Sequence, residues 1–417
     1  MQPDHFTEPQ DSCPADCRAC VLVVCLSALL FFAATALIAS TAAGQPTQKP
    51  TMQPPPPDAY AGDAACASCH EKQAGTYLST AHHLTSQPPS EKSIEGSFSR
   101  GSNVLETSNP NLAFEMNEVD GRFLQSALDI TDTAHVRAFS EPIDIVVGSG
   151  RKGHTYLYWD EDKLFELPIS YWTATKTWIN SPSFPDGEVH FDVPIVPRCL
   201  DCHGSYFQSL QPPVNRYLKS SLVLGISCEK CHGPGMKHVL EERSSTPPPP
   251  GDPREAIINP AHLSRDRQLD TCSLCHAGPA TPIAPVLSFI PGEEISRYLK
   301  ISAPGPDAPV DVHGNQVQLL RRSRCFQSSQ MTCSTCHDVH RQQRDLAALS
   351  ARCLTCHAVA SLGKTHPAVE AIATRCVDCH MPLQKSQVLF SNSSGQRLTP
   401  LVRTHRIAIY PDAVSTP

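Results

Sequence analysis

One pentapeptide, Cys-x-x-Cys-His, recurs seven times along the 417-residue chain and limits its possible folds more than any other feature. The chain contains 19 Cys and 19 His, a composition from which chance would produce about 0.04 such matches. We number the copies motif 1 to motif 7 in chain order: Cys66–His70, Cys199–His203, Cys228–His232, Cys272–His276, Cys333–His337, Cys353–His357 and Cys376–His380.

The spacing inside each motif suits covalent attachment of haem. Two thiols separated by two residues add across the two vinyl groups of one haem, and the adjacent imidazole then lies under the iron as proximal ligand. Zinc ribbons and disulfides also use Cys-x-x-Cys pairs, but neither explains a histidine after every pair. We therefore expect seven covalently attached haem c groups, each with its iron. The predicted attachment residues are Cys66, Cys69, Cys199, Cys202, Cys228, Cys231, Cys272, Cys275, Cys333, Cys336, Cys353, Cys356, Cys376 and Cys379, and the predicted proximal ligands are His70, His203, His232, His276, His337, His357 and His380.

The remaining histidines are numerous enough to supply sixth ligands to these irons. Only six Met occur in the chain, so bis-His coordination, which gives lower potentials than His/Met coordination, is expected to predominate. One of His82 and His83 is expected to serve a haem of the N-terminal group. The distal candidates are His83, His238, His313, His340, His366 and His405, with His135, His154, His190 and His262 as further histidines that could serve.

Closely spaced motifs indicate closely spaced haems. The starts of motifs 5, 6 and 7 are only 20 and 23 residues apart, which forces their haems into near contact. The exported part offers roughly 53 residues per haem, enough to wrap each group without insulating it. A chain of haems in near contact conducts electrons, so the sequence predicts electron transfer.

The N-terminal part of the chain predicts export. Val21–Ser40 carries no charge and is about as long as a membrane-spanning helix, and Thr41–Ala43 offers a small-residue cleavage site. Either a cleaved signal peptide or an uncleaved transmembrane anchor would place the rest in the periplasm or on the periplasmic face of the cytoplasmic membrane. The net charge of -7 argues against nucleic acid as a partner.

The rest of the chain divides by composition. Residues 91 to 197 lack cysteine and contain two alternating hairpin patterns, Asn111–Met116 with Arg122–Leu128 and His154–Trp159 with Lys163–Leu167. We predict an export segment at 1–44, a Pro-rich tether at 45–60, a first haem segment at 61–90, a β-rich insertion at 91–197 and a six-haem cytochrome domain at 198–410.

Several segments resemble a known family. Ser79–Ser86, Cys228–Gly235, Ser323–Phe326, Cys333–His340 and Cys376–Pro382 resemble the multihaem cytochromes related to the tetrahaem carrier of nitrification, the cytochrome c-554 type. That superfamily also includes hydroxylamine oxidoreductase and the pentahaem nitrite reductases. The resemblance covers about residues 60 to 410.

The resemblance implies haems in stacked and perpendicular pairs, mostly with two histidine ligands, and distal ligands at His238, His340, His366 and His405. The expected fold is therefore mainly α with extensive loops, a multihaem cytochrome c fold organised around stacked haems, with a small antiparallel β insertion. Two features depart from the family. No Cys-x-x-Cys-Lys site occurs, and the cross-linking tyrosine of hydroxylamine oxidoreductase is matched only by location, at Tyr217 or Tyr298.

Two functions fit these patterns. The favoured one is an electron carrier that exchanges electrons with redox partner proteins or a quinol-linked donor. The alternative is a multihaem oxidoreductase that acts on a small nitrogen or sulfur compound at one five-coordinate haem. The basic run of Arg321, Arg322 and Arg324 offers such a substrate a cationic path, although a solvated face or a counter-charge for haem propionates explains it more simply.

Overall fold

The computed structural model describes residues 52–131, 136–247, 249, 256–302, 304–362, 366 and 373–411. The predicted export segment, with the first part of the tether, lies outside these residues, and so does His135. Among the described helices, none combines the length and the apolar character needed to cross a bilayer.

Two antiparallel sheets occupy residues 86–194, which we call the β region. Strands β2 to β5 pair in chain order, and the second sheet has the order β1-β6-β7-β8-β11, with β9 beside β7 and β10 beside β9. The strands are β1 Ser86–Gln87, β2 Val104–Glu106, β3 Leu112–Val119, β4 Arg122–Asp129, β5 Val136–Pro142, β6 Ile145–Val147, β7 Gly153–Asp160, β8 Lys163–Glu166, β9 Ile169–Trp172, β10 Thr177–Asn180 and β11 Val193–Pro194.

Both predicted hairpins are confirmed. Strands β3 and β4 pair from Leu112 opposite Asp129 to Val119 opposite Arg122. Asp120 and Gly121 between them have φ angles of 52° and 74°, and positive φ at both central residues matches the right-handed twist of the strands. Strands β7 and β8 form the second hairpin.

The β region has an apolar core of its own. Phe114 is 1% exposed, and Met116 and Tyr156 are 0% exposed. The buried members of this cluster are Ile94, Leu105, Leu112, Phe114, Met116, Phe123, Ala127, Ile143, Val146, Tyr156, Tyr158, Leu167, Ile169, Tyr171, Trp178 and Phe191.

The haem region, residues 52–85 and 195–411, consists of short helices joined by loops. Its α-helices are α1 Asp63–Ala67, α2 Glu71–Tyr77, α3 Pro197–His203, α4 Glu229–His232, α5 Met236–Glu242, α6 Arg265–His276, α7 Gln316–Arg321, α8 Arg324–Gln327, α9 Leu346–Cys353, α10 Val359–Leu362 and α11 Cys376–His380. Its 3-10 turns are Pro57–Ala59, His83–Thr85, Lys219–Ser221, Pro260–His262, Ile295–Arg297 and Cys333–Thr335.

Four small two-stranded sheets complete the haem region, pairing β12 with β13, β14 with β15, β16 with β19 and β17 with β18. Their strands are β12 Gly204–Tyr206, β13 Val223–Leu224, β14 Ala280–Pro282, β15 Leu299–Ile301, β16 Leu383–Lys385, β17 Ser391–Ser393, β18 Gln396–Leu398 and β19 Leu401–Arg403.

The expectation of a mainly α fold with a small β insertion is wrong. Antiparallel sheets account for a large share of the described residues, and most helices span only one or two turns. A Cys-x-x-Cys-His motif needs only one helical turn to place its three functional side chains, so many motifs do not require long helices. The 39 prolines of the chain further limit helix length.

The β region packs directly on motif 2. Leu157 and Leu164, from β7 and β8, share a buried cluster with Leu200 of motif 2 and with Tyr217. Tyr217 is fully buried, and its hydroxyl donates to the Ile195 carbonyl over 2.7 Å. The seven-stranded sheet therefore packs against one of the haem motifs.

Candidate functional site

The motifs adopt the local geometry that their spacing predicts. In motif 1 the His70 amide donates to the Cys66 carbonyl over 2.9 Å, and motifs 3, 5 and 6 close the same i to i-4 hydrogen bond. Such a turn brings residues three and four apart onto one face. The two thiols and the imidazole of a motif therefore face the same space, as attachment to one haem requires.

Three of the motif histidines lie opposite a second imidazole in a nearly parallel orientation. The ring centroids are 6.5 Å apart for His70 and His238, 6.1 Å for His232 and His340, and 6.3 Å for His337 and His405. Two opposed imidazoles on one metal have centroids about 6 Å apart, because each metal–nitrogen bond is about 2 Å long. Each gap therefore fits one haem iron.

Two further pairs have the same separation with more inclined rings. His366 and His380 have centroids 5.9 Å apart at 53°, and His82 and His276 have centroids 6.0 Å apart at 73°. The structure thus places His82, rather than His83, opposite a motif histidine.

The remaining two motifs, 2 and 6, differ from these five. Opposite His203 of motif 2 no imidazole ring is found among the described residues; burial lowers the pKa of His203, and His313 lowers it further. Within the described part of the chain, no imidazole ring lies opposite His357 of motif 6.

Hydrogen bonds at Nδ1 orient most of the motif histidines. The His232 and His380 rings each donate to a backbone carbonyl over 2.8 Å, at Ile258 and Ala408 respectively. The other three partners are side-chain oxygens, with Thr85 for His203, Gln316 for His276 and Gln343 for His337. A partner on Nδ1 fixes the ring and leaves Nε2 directed at the metal.

Electrostatics favour the neutral, metal-binding form of these histidines. Burial, followed by the neighbouring His337, lowers the pKa of His405 to about 4. Burial is also the largest cause that lowers the pKa values of His82, His203, His232, His276, His313 and His337. A ring that remains neutral keeps a lone pair available for iron.

Cysteines of different motifs lie close to one another. The proximity shows in the thiol pKa values: Cys228 lowers the pKa of Cys66, Cys275 lowers that of Cys202, Cys333 raises that of Cys272, and burial followed by Cys376 raises that of Cys353. Because each thiol would become a thioether to its haem, these pairs would hold neighbouring haems close together.

Buried charges hold the motifs in register. The Glu229 carboxylate, in motif 3, accepts hydrogen bonds from the backbone amides of Ala61, Gly62 and Gly235 over 2.7 to 2.9 Å. Asp201, in motif 2, pairs with Arg198 at 2.7 Å and with Lys230 of motif 3 at 3.0 Å. The x positions of these two motifs therefore connect segments that are far apart in sequence.

Other histidines singled out by the sequence lie elsewhere. His83 lies 3.5 Å from Asp63, with its ring 5.9 Å from that of Tyr77. His154 is buried in the β region, and His190 interacts with Glu188 and Asp192 at the surface. His262 ends the 3-10 turn Pro260–His262.

The remaining candidate residues have ordinary structural contacts. Tyr298 donates a hydrogen bond to Glu293, and Arg322 donates to the carbonyls of Gly305 and Ala308.

Sequence reasoning missed the residues that orient the ligands. Thr85, Gln316 and Gln343 act on motif histidines from 6 to 118 residues away. Tyr77 was missed as well, although its ring stands 6.2 Å from His340 and its hydroxyl donates to the Ile226 carbonyl. Thr85 alone carried a sequence signal, because it belongs to the family-like segment Ser79–Ser86.

Comparison with known proteins agrees with this site. The family model for cytochrome c554 and c-prime matches residues 175–233, which contain motifs 2 and 3. No curated protein matches the chain.

Two solved structures are similar to the chain. The outer cell wall cytochrome OcwA matches with a TM-score of 0.51 and 15% identity, over 84% of this chain and 79% of that one. An undecahaem cytochrome from the S-layer of Carboxydothermus ferrireducens matches with a TM-score of 0.38 and 17% identity, over 86% of this chain and 53% of that one.

Proposed function

Because this chain is a multihaem c-type cytochrome, we propose that it binds seven haem c groups and moves electrons along them in the cell envelope. The motif count supports seven haems, and the packing of the motif 4 helix against motifs 2 and 5 supports close spacing of haem edges. Electrons can pass between haems whose edges are in near contact.

The observation that carries this proposal is the set of facing imidazoles. Five motif histidines have a second ring whose centroid lies 5.9 to 6.5 Å away. An iron held between two imidazoles is six-coordinate and low-spin, and it has no free position at which a substrate binds. Such haems suit electron transfer rather than chemistry on a small molecule.

We place this function outside the cytoplasm. The uncharged segment Val21–Ser40 supports export, and OcwA is an outer cell wall cytochrome. The site of action would be the periplasm or the periplasmic face of the cytoplasmic membrane. Partners would be redox proteins or a quinol-linked donor, with the membrane reached through the N-terminal segment if that segment is retained.

Haem content and spin state test the proposal. The pyridine haemochrome assay should give seven haems per chain, and the electron paramagnetic resonance spectrum of the oxidised protein should be dominated by low-spin signals. Fewer haems, or mostly high-spin iron, would contradict it.

Replacing one distal candidate tests the ligand assignment. His238→Met should raise the potential of one haem by on the order of 100 mV, because thioether ligation favours ferrous iron. His190→Met is the matched control, since His190 lies at the surface beside Glu188 and should leave every potential unchanged. Equal haem potentials in the two variants would show that His238 is not an iron ligand.

A second function, an oxidoreductase with one open haem, is favoured by motif 6. Among the described residues, His203 of motif 2 and His357 of motif 6 are the motif histidines with no facing imidazole ring, and His357 is the more exposed of the two. A high-spin signal that shifts on adding nitrite, hydroxylamine or sulfite, and that disappears in Cys353→Ala/Cys356→Ala, would favour this enzyme. Low-spin iron at every haem would contradict the oxidoreductase and support the electron carrier.

A further inference from the structure

Residues 401–408, which we call the tail segment, lie against two haem motifs. The tail segment begins with strand β19, which pairs antiparallel with β16, the strand that follows motif 7. Two residues beyond β19 it carries His405, whose ring faces His337 of motif 5 with 6.3 Å between the centroids. One short segment therefore packs on motif 7 and supplies a candidate distal ligand to motif 5.

The guanidinium of Arg403, at the end of β19, joins the tail segment to motif 7. One of its nitrogens donates to the backbone carbonyls of Val377 and Met381 over 2.6 and 2.8 Å. Another nitrogen pairs with the Asp378 carboxylate at 3.0 Å, and only 22% of the Arg403 side chain is exposed. Because a guanidinium presents its donors as a rigid planar fork, three partners fix both its position and its direction.

Further hydrogen bonds hold the tail segment beyond His405. The His380 ring donates from Nδ1 to the Ala408 carbonyl over 2.8 Å, and the Ala408 amide donates to the His380 carbonyl over 3.2 Å. The Ile407 amide donates to the hydroxyl of Ser323 over 2.8 Å. The backbone on both sides of His405 is therefore held by residues outside the tail segment.

The His405 ring itself has a weaker anchor than the motif histidines. Its Nδ1 atom is buried and, within the part of the chain that the structure describes, makes no hydrogen bond of ordinary geometry. The His232 ring, by contrast, is oriented by the Ile258 carbonyl at 2.8 Å. A ligand that lacks such a partner depends on its backbone for its direction, so the position of β19 decides whether His405 faces His337.

We propose that Arg403 is a positioning residue for haem 5, the haem of motif 5, because it fixes the strand that carries His405. Coordination at motif 5 then depends on a contact with motif 7. The inference rests on the proposed function, since it requires haems at both motifs. If Arg403 only satisfied carbonyl groups at the end of helix α11, its loss would affect haem 7 alone. The two roles differ in which haem responds when Arg403 is replaced.

Electron paramagnetic resonance of the oxidised protein separates the two roles. His405→Gly removes the distal imidazole and provides the reference high-spin signal of an open haem 5. Arg403→Gln should lose part of one low-spin signal and gain that same high-spin signal. Added imidazole should restore the low-spin signal in both variants, because it occupies the open position. The double variant should contain no more high-spin iron than His405→Gly alone, since both changes act on one ligand.

Arg375→Gln is the matched control. Arg375 pairs with the same Asp378 carboxylate at 3.5 Å, but it precedes motif 7 in the chain and its side chain is 59% exposed. The control removes the same charge beside motif 7 and should add no high-spin signal.

A milder variant keeps the test valid if Arg403→Gln does not fold. Arg403→Lys retains the charge but lacks the planar fork, so it should show the same high-spin signal in a smaller amount.

Two results would overturn the role of Arg403. In one, a folded Arg403→Gln or Arg403→Lys has the same low-spin signals as the wild type. In the other, the new high-spin signal differs from that of His405→Gly or appears equally in Arg375→Gln. Neither result would affect the proposed function, which fails only if the wild-type protein lacks seven haems or low-spin iron. The two ideas can therefore be rejected separately.

Discussion

The β region and the haem region of this chain are stabilised in different ways. The β region packs aromatic and aliphatic side chains into one extended cluster around Phe114, Met116 and Tyr156. Buried clusters confined to the haem region are much smaller, such as Leu269, Leu320 and Phe326 beside α6. The haem region must therefore obtain core volume from another source, and haem macrocycles attached at its motifs would provide it.

Polar contacts take a larger part in the haem region. Glu229 holds three backbone amides, and Asp201 holds Arg198 and Lys230 across two motifs. A buried carboxylate is tolerated only when its oxygens are satisfied in this way. The chain therefore combines one region with an extended apolar core and another whose apolar clusters are small and whose buried carboxylates are paired.

The largest expected effect comes from withholding haem. Chain produced without haem attachment should lose amide protection throughout residues 195–411, because facing imidazoles without iron leave polar cavities in place of a core. The β region should stay protected, since its cluster contains no motif residue. Hydrogen exchange with mass spectrometry on the haem-free and haem-loaded proteins measures both regions at once. Equal protection of α4 and α5 in the two samples would contradict the comparison.

Truncating the sheet core should have a smaller but substantial effect. Phe114→Ala should lower the free energy of unfolding of the β region by about 3–5 kcal/mol, because the cavity cannot fill. Val119→Ala, at a side chain that is 46% exposed, should change it by less than about 0.5 kcal/mol. Denaturant unfolding followed by amide circular dichroism would measure both, and the haem absorbance should hardly respond. A concerted loss of haem absorbance would show that the two regions unfold together.

Removing a polar contact should destabilise the haem region more modestly. Glu229→Gln replaces one acceptor oxygen with a donor that faces a backbone amide, at a cost of about 2 kcal/mol. Glu71→Gln is the control, since Glu71 is exposed at the start of α2. Urea titration monitored by haem absorbance would measure the difference. Equal midpoints would mean that the Glu229 carboxylate contributes little.

An effect of similar size to that of Glu229→Gln is a pH dependence at the boundary between the regions. Burial raises the pKa of Glu166, on β8, from 4.5 to about 7. The folded chain therefore holds this proton more tightly than the unfolded chain, so stability present at acid pH is lost as the pH rises from about 4.5 to 7. Glu166→Gln should reduce that loss by about 2 kcal/mol, whereas Glu118→Gln, exposed near the end of β3, should not. Parallel pH profiles for both variants and the wild type would refute this role for Glu166.

Local patterns predicted the local structure well. The turn residues Asp120 and Gly121 and the alternation around them were sufficient to predict the β3–β4 hairpin, because hairpin register depends on nearby residues. The fold class was predicted wrongly, because the number of haem motifs says little about helix length. The share of strand depends on how the residues between motifs pair, and that pairing joins strands that are not adjacent in sequence, such as β1 and β6.

The candidate site divides in the same way. The motif cysteines and the proximal histidines can be predicted from the sequence, because covalent attachment of a haem requires them within five residues. The imidazole that faces each motif histidine cannot be predicted from the sequence, because residues far apart in the chain form the pairs, as with His70 and His238. Whether His82 or His83 lies opposite His276 likewise depends on the backbone conformation at the 3-10 turn His83–Thr85, which follows His82.

The sequence by itself predicted a multihaem c-type cytochrome, because haem attachment is a local chemical requirement that seven pentapeptides meet. Only the tertiary structure decided which imidazoles face each other and which motifs touch. Those contacts arise where the packing of helices, loops and sheets brings distant segments together, as α6 does for motifs 2, 4 and 5. The number of residues between two motifs does not predict whether they are in contact.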